Sequence, residues 1–310
     1  MRSVIVTQFG GPEVLTVVEH PEQAPQPHEV RVGVAGSAVN PIDLSTRAGR
    51  LVQAGLMAPA AEIGMGWDVA GRVLEVGSAV RRFARGDAVV GLRDLLFAPG
   101  AHADSVLLDE SALAPAPARW TPAQAGTLAL NGLTAHGALA ATGVGPGGTV
   151  LVTGAVGGVG GFVLELARHH GVDTVAAVRP DDADLAAKLG ATHVVAATED
   201  LGRRVRAVVR GGVDGVVDAA LLGIEAHGAL RSGGTFVTLV RPFAPPPIRA
   251  TRVVVFEVAA DGDALTGLAG LADAGVLTPR VAEVVPLGEA ARAHELVERG
   301  GLRGRVVLVP

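Results

Sequence analysis

Apolar and polar positions change rhythm along this chain near residue 115. Before that point, short β-branched runs recur at 4–7, 14–18, 30–34, 69–76, 88–90 and 105–108, separated by Gly, Pro and Asp. That pattern predicts a β domain, most economically a barrel-like one. The stretch Ala114-Pro115-Ala116-Pro117 is the expected boundary. Beyond it, Thr121 reads as a helix N-cap, with Pro122 at the first position and Gln124 as in a capping box. That helix is expected to run to about Ala141. Strand-like runs at 149–153, 174–178, 193–196, 213–218 and 235–239 then alternate with stretches of helical spacing. Such alternation predicts a parallel sheet with helices on both faces. A further strand is expected at 253–256, helices at 264–274 and 289–299, and a closing strand at 305–309. Prolines at 242, 245, 246 and 247 make that segment an irregular loop, expected to lie near the site.

Residues 149–171, TVLVTGAVGGVGGFVLELARHHG, organise the second half. A buried-type strand, a glycine-rich turn and an amphipathic helix follow one another, the sequence of a dinucleotide-binding unit. Ala155 stands where the first glycine of G-x-G-x-x-G would make the tight turn. Gly157 lets backbone approach a pyrophosphate, and Gly160 lets the helix pack close to the strand. The helix N-terminus then offers N–H groups and partial positive charge to phosphate. Gly171 sits where a C′ residue closes the helix near His170. The second strand closes on Arg179, 19 residues after Gly160. An acid there would suit the 2′-hydroxyl of NAD, whereas an arginine suits the extra phosphate of NADP. Asp181 and Asp182 read as first-turn residues of the helix that Pro180 opens. The alternative is a surface arginine paired with those acids.

The length of 310 residues suits two domains. With 26 basic and 31 acidic residues the net charge is −5, so no basic face for nucleic acid is expected. The chain has no cysteine, which removes disulfides, thiol nucleophiles and any Cys-based zinc site. With no tyrosine, the Tyr-Lys pair of short-chain dehydrogenases is impossible. Lys188 is the sole lysine and lies late in an expected helix, which argues against Schiff-base chemistry. Met1-Arg2 leads straight into strand-like sequence, and no uncharged apolar run is long enough to span a bilayer. A cytoplasmic protein without membrane contact is therefore expected. The nine histidines show no ligand spacing, and His169-His170 is explained by the dipole of the helix it ends.

Assembled, these motifs resemble those of the zinc-free quinone oxidoreductases of the medium-chain dehydrogenase/reductase superfamily. The likeness runs from Phe9-Gly-Gly-Pro-Glu-Val-Leu15 through Val39-Asn40-Pro41-Ile42-Asp43 with Arg47-Ala48-Gly49, to Gly66-Trp67-Asp68-Val69-Ala70-Gly71 with Glu75-Val76-Gly77 and Gly86-Asp87. It continues through Gly132-Leu133-Thr134-Ala135, Gly154–Gly160, Val213-Asp214 to Asp218, Gly233-Gly234 and Gly304-Arg305-Val306-Val307-Leu308. The resemblance implies an α/β protein: a GroES-like β-barrel domain over residues 1–117, a Rossmann NADP-binding domain with a doubly wound parallel sheet over 118–257, and a segment over 258–310 returning to the first domain. It further implies that Val156, Gly157, Gly158 and Val159, then Arg179, Thr238, Leu239, Val240 and Arg241 hold NADPH, with backbone near Phe256 on the carboxamide. Asn40 would lie by nicotinamide and substrate, with Thr134 beside it. A homodimer paired through Rossmann sheet edges at 253–256 is also implied. The chain departs from relatives in lacking an aromatic residue near Leu51 and in carrying Val240 where glycine is common.

The zinc alcohol dehydrogenases of the same superfamily use Cys and a Gly-His-Glu segment; here the corresponding stretch is Gly66-Trp67-Asp68. An all-His/acid metal site would need His102 or His136 to converge with Asp68. Without a Lewis acid, an isolated ketone accepts hydride poorly. A quinone or α,β-unsaturated carbonyl spreads the arriving charge over its own π system. The expected function is therefore NADPH-dependent reduction of a quinone or other conjugated carbonyl. The alternative is an ene reductase acting on an enone or enoyl thioester, similar to the enoylreductase domains of polyketide synthases. A third is a nucleotide-binding protein with little turnover. Asn40 could donate to a carbonyl oxygen or ribose, or make only a local turn before Pro41. Thr134 could reach ribose or substrate, or bond the carbonyl four residues back. Asp43 is expected to be structural, bonding backbone or Arg47.

Overall fold

The computed structural model describes residues 1–94 and 100–310. The chain forms two units, Met1–Leu133 with Ala259–Pro310, and Thr134–Val258.

The first unit contains β1 (Arg2–Val6), β2 (Thr16–Glu19), β3 (Glu29–Val39), α1 (Pro41–Arg47), α2 (Arg50–Gln53), β4 (Ile63–Gly64), β5 (Asp68–Val76), β6 (Ala88–Leu92), β7 (Ser105–Asp109), β8 (Leu113–Pro115) and α3 (Pro122–Ala125). The helix α4 (Ala129–Thr142) begins in it and ends in the second unit. The second unit continues with β9 (Thr149–Thr153), α5 (Gly158–His169), β10 (Asp173–Val178), α6 (Ala183–Lys188), β11 (His193–Ala196), α7 (Leu201–Val208), β12 (Val213–Asp218), α8 (Ile224–His227), β13 (Leu230–Thr238) and β14 (Arg252–Val255). The chain closes in the first unit with α9 (Gly262–Asp273), β15 (Val281–Pro286), α10 (Ala290–Arg299) and β16 (Arg305–Val309).

In the first unit β2-β1-β4 form one small sheet. A larger sheet runs β15-β16-β3-β5-β6-β8, with β7 also paired to β3. The last strand lies antiparallel to β3, with Val306 opposite Val39. Alternating valines make the core between these strands: Val30, Val32, Val69, Val73, Val89 and Val106 are buried. Each such side chain stabilises the fold by roughly 1.5–3 kcal/mol relative to an exposed position.

The second unit is built on six parallel strands in the order β11-β10-β9-β12-β13-β14. This is the doubly wound order, and it reverses between β9 and β12. At the centres of both strands the apolar residues are consecutive and not alternating, as in a sheet buried on both faces: Val150, Leu151, Val152, Val216 and Val217 are fully buried. Among the described residues no helix is long and apolar enough to cross a membrane.

The helix expected from Thr121 to about Ala141 is two helices. Its start is as read: Thr121 N–H donates to Gln124 Oε1 at 2.9 Å, and Gln124 N–H donates back to Thr121 Oγ1 at 3.3 Å. The break at Gly126 lets strand β3 approach, since a Cβ there would stand 2.7 Å from Gly36 backbone. Ala38 N–H donates to the Gly126 carbonyl at 3.2 Å across that approach. Helices α1 and α2 and strands β4, β8 and β15 were not expected. They are short, and β8 and β15 each end on a proline that hides the strand signal. After a single 3-10 turn at Arg241–Phe243, residues 244–247 are irregular, in keeping with the prolines there.

Candidate active site

In the second unit the residues expected to hold a nucleotide gather at the carboxyl edge of one sheet. The glycine turn follows β9, Arg179 follows β10, Thr238 ends β13, and Phe256 follows β14. The carboxyl edge beside a reversal of strand order is where open α/β sheets bind ligands.

The turn itself is shaped by the glycine before Ala155. The left-handed residue is Gly154, with φ +57°, while Ala155 is fully buried and takes no positive φ. Gly154 faces the loop after β12: a Cβ on it would stand 3.3 Å from Ala220 Cβ. That loop is tied back to the turn. Thr153 Oγ1 donates to Asp218 Oδ1 at 2.6 Å and accepts from Ala220 N–H at 2.9 Å. Asp218 also accepts from Leu222 and Gly223 N–H at 3.0 and 2.8 Å. Within the same loop Leu221 is held at φ +60°, a conformation costly for a residue with a Cβ. Gly160 permits close packing, because a Cβ there would collide with the Gly154 carbonyl oxygen and stand 2.8 Å from Ala155 Cα. Gly157 faces open space: its Cβ would meet one atom within 4 Å, the Gly154 carbonyl oxygen at 3.1 Å. Gly157, the residue before α5, thus gives the helix entrance formed by Val156, Gly157, Gly158 and Val159 an uncrowded point.

Arg179 is exposed and donates through Nε to Asp182 Oδ2 at 3.0 Å. Thr238 is buried at the end of β13, and Leu239 and Val240 lead out of the sheet. Arg241 pairs with Glu257 at 3.1 Å. Phe256 N–H donates to the Thr238 carbonyl at 2.9 Å, which sets these two strand ends side by side. The Phe256 ring lies against Gly137 of α4, where any Cβ would strike it. A surface cavity of about 270 Å³ lined by His136, Leu139, Val144, Pro146, His170 and Val172 opens at the opposite, amino-terminal edge.

In the first unit Asn40 is buried in a polar cluster. Its amide nitrogen donates to Asp68 Oδ2 at 2.7 Å and to the Ala38 carbonyl at 3.3 Å. Its oxygen accepts from Asn131 Nδ2 at 3.2 Å, and Arg305 Nε donates to Asn131 Oδ1 at 3.1 Å. Asp68 Oδ1 accepts from Leu130 N–H at 2.8 Å. Asp43 bonds backbone, not Arg47: Oδ2 accepts from Asn40 N–H at 2.8 Å and Oδ1 from Gly66 N–H at 3.0 Å. Burial pushes both carboxyls up to about 7, against the downward pull of these donors and of Arg305. Burial lowers Arg305 to about 10, opposed by Asp68 and Asp43. The cluster therefore holds two acids and one guanidinium.

Thr134 lies on α4, 8% exposed, at the start of the second unit. His102 turns Nε2 to the Ala38 carbonyl oxygen at 3.2 Å, and Asp68 is taken up by Asn40 and Leu130. Among the described residues no three His, Asp or Glu side chains come together as metal ligands. Asn131, Arg305, Thr153 and Asp218 were not singled out in the sequence for these roles. Asp218 and Arg305 lie within quoted motifs, but nothing in one dimension pairs them with Thr153 and Asn131.

Residues 26–118 match a family model described as an alcohol dehydrogenase GroES-like domain, and residues 189–308 one described as a zinc-binding dehydrogenase. The chain is 31% identical to an NADPH-dependent alkenal/one oxidoreductase of Arabidopsis thaliana, covering all of this chain and 80% of that protein. It is 32% identical to a quinone oxidoreductase of Pseudomonas aeruginosa, covering 97% of each. Among solved structures, the Escherichia coli quinone oxidoreductase complexed with NADPH superposes with a TM-score of 0.87 at 27% identity, over all of both chains.

Proposed function

This chain belongs to the quinone oxidoreductase family of the medium-chain dehydrogenase/reductase superfamily, and we propose that it reduces quinones or other conjugated carbonyls with NADPH and without zinc. The observation that carries the reading is the gathering of the open Gly157 turn, Arg179, Thr238 and Phe256 at one carboxyl sheet edge. The residues fit the coenzyme. The open backbone at Gly157 leaves room for a pyrophosphate, and the exposed Arg179 guanidinium suits a 2′-phosphate. Backbone from Thr238 to Arg241 and at Phe256 borders the path of the nicotinamide end. When bound, NADPH supplies a hydride from nicotinamide C4.

The family model over 189–308 is described as zinc-binding, but the residues here do not fit that metal. The chain has no cysteine, and Asp68 already accepts from Asn40 and Leu130. An acceptor that delocalises its own charge removes the need for a Lewis acid, and the protein's task becomes positioning and exclusion of water. Asn40 and Thr134 are the residues assigned to the substrate side. Asn40 acts there through the framework it anchors, because Asp68, Ala38 and Asn131 already engage its polar atoms.

A second reading, reduction of the carbon–carbon bond of an enone or enoyl thioester, is favoured by the likeness to an alkenal/one oxidoreductase. Steady-state NADPH oxidation with 1,4-benzoquinone, 9,10-phenanthrenequinone, 2-cyclohexenone and a crotonyl thioester separates the two. Quinones are expected to give the highest kcat/KM. A crotonyl thioester or cyclohexenone ahead of both quinones would replace the first reading by the second.

A further inference from the structure

Arg179 does not hang freely at the sheet edge. It follows the last residue of β10, and the 3-10 turn Pro180–Asp182 brings Asp182 back beneath it. Asp182 N–H donates to the Arg179 carbonyl at 2.9 Å, closing the turn, and the ring of Pro180 fixes its first φ. The two side chains have opposite surroundings. The Asp182 side chain is 2% exposed and that of Arg179 is 63% exposed, yet Arg179 Nε donates to Asp182 Oδ2 at 3.0 Å. The bond uses the nitrogen nearest the stem. Among the described residues the two terminal nitrogens of Arg179 make no hydrogen bond. A guanidinium held this way keeps its fork directed outward, which is the geometry that grips a phosphate bidentately. An unheld arginine would lose rotamer freedom on binding, and this one has already lost much of it.

We propose that Asp182 is a specificity-determining residue: it positions Arg179 for the 2′-phosphate and so sets the preference for NADPH over NADH. Asp182 touches no ligand itself and acts through the arginine. The inference rests on the reading that NADPH binds this edge, and the test separates the two.

Calorimetric titration with 2′,5′-ADP and with 5′-AMP reads the phosphate contact without turnover. Wild type should bind 2′,5′-ADP more tightly than 5′-AMP. Arg179→Ala should lower 2′,5′-ADP affinity by about tenfold or more. Asp182→Ala should lower it by about tenfold while leaving 5′-AMP unchanged, and should have no further effect when added to Arg179→Ala. Asp182→Asn keeps an acceptor under Nε and should restore most of the loss. If Asp182→Ala weakens both ligands equally, or acts equally with and without Arg179, the proposal is overturned. Should Asp182→Ala fail to fold, Arg179→Lys decides. A lysine cannot be held by a stem nitrogen and still present a fork, so wild-type affinity for 2′,5′-ADP in that variant overturns the proposal. If Arg179→Ala itself leaves the preference intact, it is the placement of the 2′-phosphate at this edge that fails.

Discussion

His102 and His294 are both buried, and their rings meet edge to face with centroids 6.2 Å apart. Arg47 Nη1 lies 3.3 Å from His294 Nδ1, so that nitrogen accepts. Burial holds His102 down to about 4 and His294 down to about 2, from an ordinary 6.5, with His102 and Arg47 adding to the effect on His294. The unfolded chain takes up these protons below about 6.5 while the folded chain does not. Their stabilising contribution is thus complete above pH 6.5 and is lost as pH falls toward the folded values. Asp43 and Asp68 work oppositely, since a folded value of about 7 against an ordinary 3.8 favours the folded state at low pH and is lost as pH rises through 7. Between pH 4 and 6.5 the two trends offset. His294→Gln removes one of the protons the unfolded chain would take up, so on going from pH 6 to pH 4 its unfolding free energy should rise relative to that of wild type, in which the two trends offset. The difference should approach 1.4 kcal/mol per pH unit, roughly one proton's worth. Urea unfolding at pH 4, 5 and 6 measures it, and parallel curves would refute the assignment. At this scale little was legible in the sequence. Asn40 and Asp43 stood out in a motif, but Arg305 meets Asn131 across 174 positions, and no spacing rule reaches that far.

The element proposed to admit the coenzyme, β9–turn–α5, tests whether fold and function can be parted. At Gly160 an added methyl meets backbone on the Gly154 carbonyl and Ala155 Cα, neither of which can swing aside. Gly160→Ala should therefore cost about 1–3 kcal/mol of stability and abolish NADPH binding. At Gly157 the methyl meets only the Gly154 carbonyl oxygen at 3.1 Å, and the φ of −73° suits alanine. Gly157→Ala should keep stability within about 1 kcal/mol of wild type yet weaken NADPH binding at least tenfold, roughly the loss of one charged hydrogen bond. Thermal unfolding and NADPH fluorescence titration check both; a Gly157→Ala protein that binds NADPH normally would move the coenzyme elsewhere. This element was legible because strand, turn and helix are local in sequence. The close approach of Gly154, at φ +57°, to Ala220 was not legible, because the two stand 66 residues apart. The break at Gly126 was hidden for the same reason, as its partner is Gly36.

At the scale of the whole molecule, alternation of strand and helix after residue 115 predicts a parallel sheet, and six parallel strands in doubly wound order are found. The layout was legible because βα units fold locally and connect with one hand. The first unit was less so, since its strands pair across long separations and several are short. Its family emerges from motifs rather than from periodicity. Both units together belong to the quinone oxidoreductase family, and the reading proposed for the chain has hydride from NADPH reach a conjugated acceptor with no metal. The most direct test is NADPH oxidation with 9,10-phenanthrenequinone and with 2-cyclohexenone by protein exhaustively treated with EDTA. The account predicts one NADPH consumed per acceptor reduced by two electrons, at a rate unchanged by the chelator and by added zinc. Loss of activity on chelation that returns with zinc, or no oxidation of NADPH with either acceptor, would contradict it.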